Sequence, residues 1–578
     1  MNRVRFSIRL VLALVASGAV VVGLVALVGF PQRDAEAITA HRHIAVTANP
    51  FASRAAREIL RQGGSAVDAA ITAQLVLTLV EPQSSGIGGG LYLLVFDPSM
   101  GLRVFDGREV APAAATPQMF LGADGKVRSF DDVATGGLAV GVPGALAALA
   151  MAHQRFGKLP WVSLLAPAIK LAEKGFEVSP LLGAAIAELD PLALGAGMRA
   201  AYFHPNGRPF EAGETLRDRE FARTLRVVAA RGISGFYQGE VAEKIVAAVR
   251  SDRRNPGSMT LADLASYRVR ESDALCRPYR DFRVCTTPAP SGGVALQQIL
   301  GLLGSRRSDE LRYGSLSQIH LLTQVERLAY ADRAHWQGDP AFVPVPLEGL
   351  LDTSYLRARA ELIHPRRDMG VAIAGTPPSQ GRLLRDFAPQ RTPVFHGTSH
   401  LSVVDDAGQV VSMTMSIQAS FGSQLRAGGF VLNNELTDFS LEPEIDGRPV
   451  ANAPAPGKRP LSAMSPSIVF DAQGRFFAAI GSPGGPEIIS YNAQALVNLL
   501  DSHESVATTV SAPHAANING VTVLEAGTSM TLSAPWLFVM GHPLRFRSLE
   551  SGLNGIRRIP NGYEAASDVR GDGAAAGD

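Results

Sequence analysis

The chain has 578 residues, 46% of them hydrophobic and 19% charged, which fits a well-packed globular protein and excludes broad disorder. Lys plus Arg number 54 against 53 Asp plus Glu, so a formal net charge of +1 gives no electrostatic case for a nucleic-acid partner. At this length either one large layered unit or more than one unit is expected.

The N-terminus reads as a targeting or anchoring segment, residues 1–37. "MNRVRFSIR" carries three Arg and no acid, and Leu10–Phe30 runs for 21 residues without a charge. That length spans a bilayer, which needs roughly 20 residues, and exceeds the roughly 7–15 of an ordinary signal core. "DAEA" at Asp34–Ala37 offers an Ala-x-Ala cleavage site. Membrane anchor and removable signal therefore both stay open. The basic flank reads as cytoplasmic and the rest of the chain as exported, periplasmic or extracellular.

Two helices follow. "SRAAREILRQGG" stops at Gly63-Gly64, and Ser65 with Asp68 forms a capping box for "SAVDAAITAQLVLTLVEP". The Gly-rich turn Ser84–Gly90 leads into the strand "LYLLVFD", with "LRVFDGRE" as its partner. Helical periods dominate from about Ala139 to Ser251. Cys276 and Cys285 flank "RPYRDFRV", where a Tyr-Arg-Asp turn between two short strands would bring them face to face. In an exported chain that favours a disulfide over two free thiols, and neither has metal-ligand spacing. "PAPSGGVALQQILGLLG" is a turn and a buried helix, and "SQIHLLTQVERLAYADRAHW" a long helix. Periodicity is lost from Pro365 to His396, predicting a loop. From Leu401 strands alternate around the hairpin turn "DDAGQ", and "GGFVLNN", "SPSIVF" and "FFAAIG" add more. "AQALVNLL" is a helix. Mixed helices and strands without regular βαβ spacing or a fixed-period repeat point to an α+β layered sandwich.

Chemistry concentrates at Thr398-Ser399-His400. A threonine hydroxyl is a weak nucleophile and needs a base within reach. If the chain is cut before Thr398, the freed α-amine, with a pKa near 8, can take the hydroxyl proton. A strand start also attracts Thr by β-propensity alone, so the tripeptide does not decide. His400 reads either as an acid/base group or as a hydrogen-bonded structural residue. The other histidines show no metal-type pairing, and no G-x-S-x-G, P-loop or full G-x-G-x-x-G occurs.

The surroundings decide. "TSHLSVVDDAGQVVSMTMSIQASFG", "LNNELTDFS", "GKRPLSAMSP" and "GSPGG", in this order, resemble the small subunit of the γ-glutamyltransferases, or glutathione hydrolases. These are N-terminal nucleophile hydrolases that cut themselves in two. "GGSAVDAAITAQLVLTLVEPQSSGIGGG", "DGREVAP", "LLAPAIKLAEKGF" and "PAPSGG" resemble the large subunit, so the similarity runs from about residue 40 to the C-terminus.

The resemblance implies a four-layer αββα sandwich and autocleavage of the Gly397–Thr398 bond. It implies a large subunit, 38–397, and a small catalytic subunit, 398–578, held as a heterodimer. Thr398 would be the nucleophile, its α-amine the general base, and Ser416 the hydroxyl that steers it. Gly484 and Gly485 would be the oxyanion donors. Arg108 would grip the substrate α-carboxylate with Ser462, as suits a planar guanidinium. Glu435 and Asp438 would hold the α-ammonium, with Gln418 beside them. His400 then reads as a structural residue of the processing site. No cofactor or metal is implied, and the partner is a small γ-glutamyl compound.

This chain departs from the family at several positions. Gln418 stands for the usual Asn or Glu, Ala463 for a second serine, and Pro486-Glu487 for Ser-Arg. The segment Leu441–Pro456 is short and lacks an aromatic residue. Two alternatives follow: a glutaryl- or cephalosporin-type acylase on the same fold, or an uncleaved, membrane-tethered binding protein.

Overall fold

Two seven-stranded antiparallel sheets organise the computed structural model, which describes residues 35–378, 386–390 and 397–578. Their strands in chain order are β1 (Ile38–Ala40), β2 (Ile44–Thr47), β3 (Gly90–Asp97), β4 (Gly101–Gly107), β5 (Arg270–Ser272), β6 (Leu275–Tyr279) and β7 (Phe282–Thr286). They continue as β8 (Thr398–Val404), β9 (Val410–Ser416), β10 (Ser467–Phe470), β11 (Phe476–Gly481), β12 (Asn554–Ile559), β13 (Gly562–Ser567) and β14 (Ala574–Gly577). One sheet runs β14-β2-β8-β9-β3-β4-β5 and the other β1-β13-β12-β11-β10-β7-β6. Each sheet draws strands from both sides of Gly397. A cut there would leave two pieces that still share both sheets.

Seven helices bear on the site: α1 (Pro50–Arg61), α2 (Ala66–Val80), α3 (Ala145–Phe156), α4 (Trp161–Lys174), α5 (Gly293–Leu303), α6 (Leu316–Trp336) and α7 (Ile488–Leu500). Strand alternation sorts the side chains into three apolar clusters. Leu401 and Val403 of β8, with Met413 and Met415 of β9, join residues of α1–α4. Val404, Val410, Ile44 and Leu94 meet Cys285, Ile468, Phe470 and Ile556 between the sheets. Val469, Ala478 and Ile480 meet residues of α5, α6 and α7. Each fully buried Leu, Ile or Val contributes roughly 1.5–3 kcal/mol.

Local signals behave as the sequence suggests. The Ser65/Asp68 capping box opens α2, and Gly63, at φ +85°, follows α1 where a side chain would be strained. β6 and β7 make a tight hairpin through Arg280-Asp281, in which Cys276 pairs with Cys285 and is disulfide-bonded to it. The expected loop after Pro365 has neither helix nor strand through residue 378, and part of it falls outside the described residues. Leu10–Phe30 also lies outside them; among the described residues no helix is long and apolar enough to cross a membrane. One element escapes the sequence reading. The Gly/Ala/Asp-rich end forms β14, pairing Ile44–Thr47 with 574–577.

Candidate active site

Register brings together two of the residues that the sequence analysis singles out. β8 and β9 are joined by the short "DDAGQ" turn, so Thr398 falls directly opposite Ser416. Both are buried. Thr398 Oγ1 lies 2.7 Å from the Gly397 carbonyl oxygen and 3.2 Å from Ser416 Oγ. Ser416 donates to the same carbonyl at 2.8 Å and accepts the Gln418 N–H at 2.8 Å. The hydroxyl that would attack and a donor to the oxygen that would become negative thus converge on one peptide group. The glycine turn before β3 fixes Ser416 from behind. A Cβ on Gly89 would sit 2.0 Å from the Ser416 carbonyl oxygen, and one on Gly88 2.1 Å from that of Val431.

Beyond Thr398 is a pocket of about 50 Å³ lined by Arg108, Arg333, Gln390, Ser416, Gln418, Asp438, Ser462 and Gly485, among others. Arg108 reaches it from the end of β4. Its guanidinium donates to Glu435 at 2.6 Å, to Asp438, and to the Leu461 carbonyl at 2.9 Å. Gln418 Nε2 donates to Asp438 Oδ1 at 2.5 Å. The arginine expected to grip a carboxylate and the acids expected to hold an ammonium are therefore paired with one another. Arg108 and Glu109 are no surface pair: both are buried, 3.6 Å apart. Burial, then the Glu435 charge, raises the Glu109 carboxyl well above the ordinary range, and neither of its oxygens has a hydrogen-bond partner among the described residues. Burial raises Glu435 as well, against the pull of Arg108.

Gly484 and Gly485, both at positive φ, begin the turn before α7. Gly485 lines this pocket and Gly484 a second cavity on the other flank of Thr398. Ala463 and Pro486 line the first pocket, while Glu487 turns away to pair with Arg547. Ser462 Oγ accepts the Met464 N–H at 3.1 Å. Within Leu441–Pro456, residues Glu444–Ile445 and Arg448–Pro449 close into a small hairpin.

Arg333 and Gln390 were not singled out from the sequence. Arg333, on α6, donates to the Ser462 carbonyl at 3.0 Å and to Gln337 at 3.3 Å, and meets no carboxylate among the described residues. Burial pulls its guanidinium down. No periodic signal marks it, because α6 is buried on nearly every face and carries Glu326, Arg327 and Asp332 inside as well.

His400 lies on the face of β8 shared with Thr398. Nδ1 is 2.8 Å from Thr414 Oγ1 and Nε2 3.1 Å from Ser402 Oγ, and burial depresses its pKa to about 3. It is a neutral, hydrogen-bonded residue within the sheet. On the opposite face Ser399 donates to Glu81 at 2.5 Å; burial, opposed by that hydrogen bond, pushes the Glu81 carboxyl up to about 8. Between the ordinary value near 4.5 and about 8 the folded chain holds a proton that the unfolded chain has released. Stability accordingly falls as pH rises through that window. Glu326, also raised to about 8 by burial, adds a similar slope. Glu81→Gln is expected to remove part of the decline in Tm between pH 5 and pH 8.5, the rest staying with Glu326, Glu435 and Glu109, which burial also raises. Parallel melting curves for variant and wild type would show that assignment to be wrong.

Antiparallel sheets flanked by helices, with a threonine hydroxyl at the start of a central strand held against the preceding carbonyl, define the class: an enzyme of the N-terminal nucleophile type. The profile described as Gamma-glutamyltranspeptidase matches residues 52–578. A glutathione hydrolase proenzyme of Bacillus subtilis strain 168 is 38% identical over 458 residues, 78% of this chain and 76% of that protein. An acylase ACY 1 proenzyme of Pseudomonas sp. strain SE83 is 35% identical over 552 residues, covering 92% and 93%. The crystal structure of a cephalosporin acylase from Bacillus halodurans superposes with a TM-score of 0.82 at 27% identity, covering 95% of this chain and 98% of that one. The chain belongs to the gamma-glutamyltranspeptidase family.

Proposed function

We propose that the chain is the precursor of a γ-glutamyltransferase/glutathione hydrolase that cuts itself between Gly397 and Thr398. The carrying observation is the contact of Thr398 Oγ1 with the Gly397 carbonyl, bridged by Ser416, at the mouth of a pocket built from Arg108, Gln418 and Asp438. In self-cleavage Thr398 Oγ attacks the Gly397 carbonyl carbon, the C–N bond breaks, and an ester forms that water hydrolyses. The products are a large subunit, 38–397, and a small subunit, 398–578, interleaved in both sheets as a heterodimer. The freed Thr398 amine is then the general base. Thr398 attacks a γ-glutamyl amide, Gly484 and Gly485 N–H groups receive the oxyanion, and the amine leaves with the hydroxyl proton. Water or an acceptor amine resolves the acyl-enzyme, and no cofactor takes part.

Arg108 and Ser462 meet the substrate α-carboxylate, joined by Arg333. Glu435 and Asp438 meet the α-ammonium, with Gln418 orienting Asp438. On binding, the zwitterion of the γ-glutamyl end exchanges partners with the Arg108–carboxylate cluster, charge for charge. The three apolar clusters support the four-layer αββα arrangement of this enzyme class. The Cys276–Cys285 bridge supports an oxidising, exported location. Residues 1–37 then serve as its signal or membrane anchor.

An acylase reading has its own support: the acylase relatives, Ala463 in the pocket, and an Asp438 already occupied by Gln418. The two donors γ-glutamyl p-nitroanilide and glutaryl p-nitroanilide differ only in the α-amino group. A γ-glutamyltransferase is expected to favour the first in kcat/KM by about 10²-fold or more, the loss expected when buried acids are left without their ammonium. Preference for the glutaryl compound would establish the acylase instead.

A further inference from the structure

Thr398 faces two cavities, and only the smaller is accounted for by the acyl half of a substrate. The second holds about 490 Å³ against about 50 Å³ for the donor pocket, and reaches Thr398 and Gly484 from the opposite flank. An amide presented to Thr398 with its acyl group in the donor pocket directs its amine half into this chamber.

One side of the chamber is a stripe of a single helix. Leu181, Ala184, Ala185 and Glu188 recur at helical spacing on Pro180–Ala187 and its C-terminal cap, giving an apolar track that ends in a carboxylate. Glu550 adds a second exposed carboxylate to the lining, and neither acid has an ion-pair partner among the described residues. The one arginine in the lining, Arg570, is already engaged. It donates to Glu525 at 2.6 and 2.8 Å and to Asp568 at 2.8 Å. Two further lining residues carry acceptors without a donor among the described residues: Gln83 Oε1 and Asn554 Oδ1, on residues 6% and 0% exposed. Glu81 and Asp568, the other two acids of the lining, are both raised by burial, and Asp568 is already paired with Arg570. An apolar track, two free carboxylates and donor-less carbonyls together describe a site for an alkyl ammonium.

We infer that this chamber takes the amine half of the substrate and selects amines bearing a second positive charge a few methylenes from the reacting nitrogen, as in a short alkyl diamine. The γ-glutamyl reading supplies only the acyl half. In the transfer step the amine nitrogen attacks the Thr398 ester carbonyl, a C–N bond forms, the C–O bond breaks, and the amine proton returns to Thr398 Oγ. The distal ammonium stays fixed between Glu188 and Glu550.

The test compares 1,4-diaminobutane with butylamine. By calorimetry on the uncut Thr398→Ala protein at low salt, the diamine is expected to bind about tenfold tighter than butylamine. Adding Glu188→Gln and Glu550→Gln should bring the two amines together. In the cut enzyme, with γ-glutamyl p-nitroanilide as donor, the transfer ratio of diamine to butylamine should fall toward one in the same double variant. Equal binding of the two amines, or a ratio untouched by the double variant, would overturn the assignment. If the anilide is no donor yet the Glu188/Glu550-dependent diamine preference persists, the chamber stands and the γ-glutamyl reading falls. Anilide turnover with no amine preference is the reverse result.

Discussion

Thr398→Ala is expected to leave the chain uncut and to lower amide hydrolysis by at least about 10⁴-fold, the scale on which removal of a covalent nucleophile acts. Two hydroxyls touch the Gly397 carbonyl oxygen, but only that of Thr398 belongs to the residue whose own amide is to break. Its attack closes a five-membered ring of Oγ, Cβ, Cα, N and the carbonyl carbon, so the acyl group moves from N to O without displacing either strand. Ser416, across the ladder, donates to the oxygen that becomes negative. Ser416→Ala therefore keeps the nucleophile and loses a donor, slowing self-cleavage by about 10²–10³-fold so that precursor accumulates. Thr398→Ser retains the hydroxyl and should still cut. N-terminal sequencing and intact mass read all three. The wild type should give a chain beginning Thr-Ser-His, and the Thr398→Ala variant should remain whole. A wild type that purifies as one intact chain would remove the mechanism and bring forward the uncleaved binding protein.

Much of this site was legible because the signals are local. The alternation after Leu401 and the short "DDAGQ" turn mark the hairpin, and the resemblance singles out Thr398 and Ser416; that the two stand directly opposite each other comes from the strand register. The capping box of α2 and the Cys276–Cys285 hairpin are equally local. What escaped is long-range and buried. Arg108 meets Asp438 across 330 positions, and nothing in "DGREVAP" says that its charge is paired there. Arg333 and Glu81 are polar residues in elements buried all round, where neither a 3.6- nor a 2-residue period separates inside from outside. β14 was missed for the opposite reason. Its "AAAG" has little strand propensity, and its place in the sheet comes from pairing with β2.

Arg108→Ala is expected to separate recognition from self-cleavage. The contacts among Thr398, Ser416 and Gly397 do not include Arg108, so the variant should still yield two chains. Turnover should collapse. Arg108 donates to Glu435 at 2.6 Å and to Asp438, with Glu109 3.6 Å away, and Glu109 and Glu435 are fully buried. Without the guanidinium these acids face one another in low dielectric, and their answer is to take up protons. A protonated Glu435 no longer attracts an α-ammonium, and the α-carboxylate loses its bidentate partner at the same stroke. In binding, truncating one partner of a buried, hydrogen-bonded charge pair costs about 2–5 kcal/mol, which corresponds to a fall in kcat/KM of roughly 10²–10³-fold. Arg108→Lys keeps a charge but cannot reach two carboxylates in one plane, so it should recover only part of the loss. The loss should also be substrate-selective: a glutaryl anilide, which has no ammonium to place, gives up the carboxylate contact alone and should fall less. The deciding measurement is kcat/KM for both anilides in the cut Arg108→Ala enzyme. If γ-glutamyl turnover stays within a few-fold of wild type, the arginine–acid cluster is structural, and the carboxylate of the substrate must be held elsewhere in the pocket, where Arg333 also lines the wall.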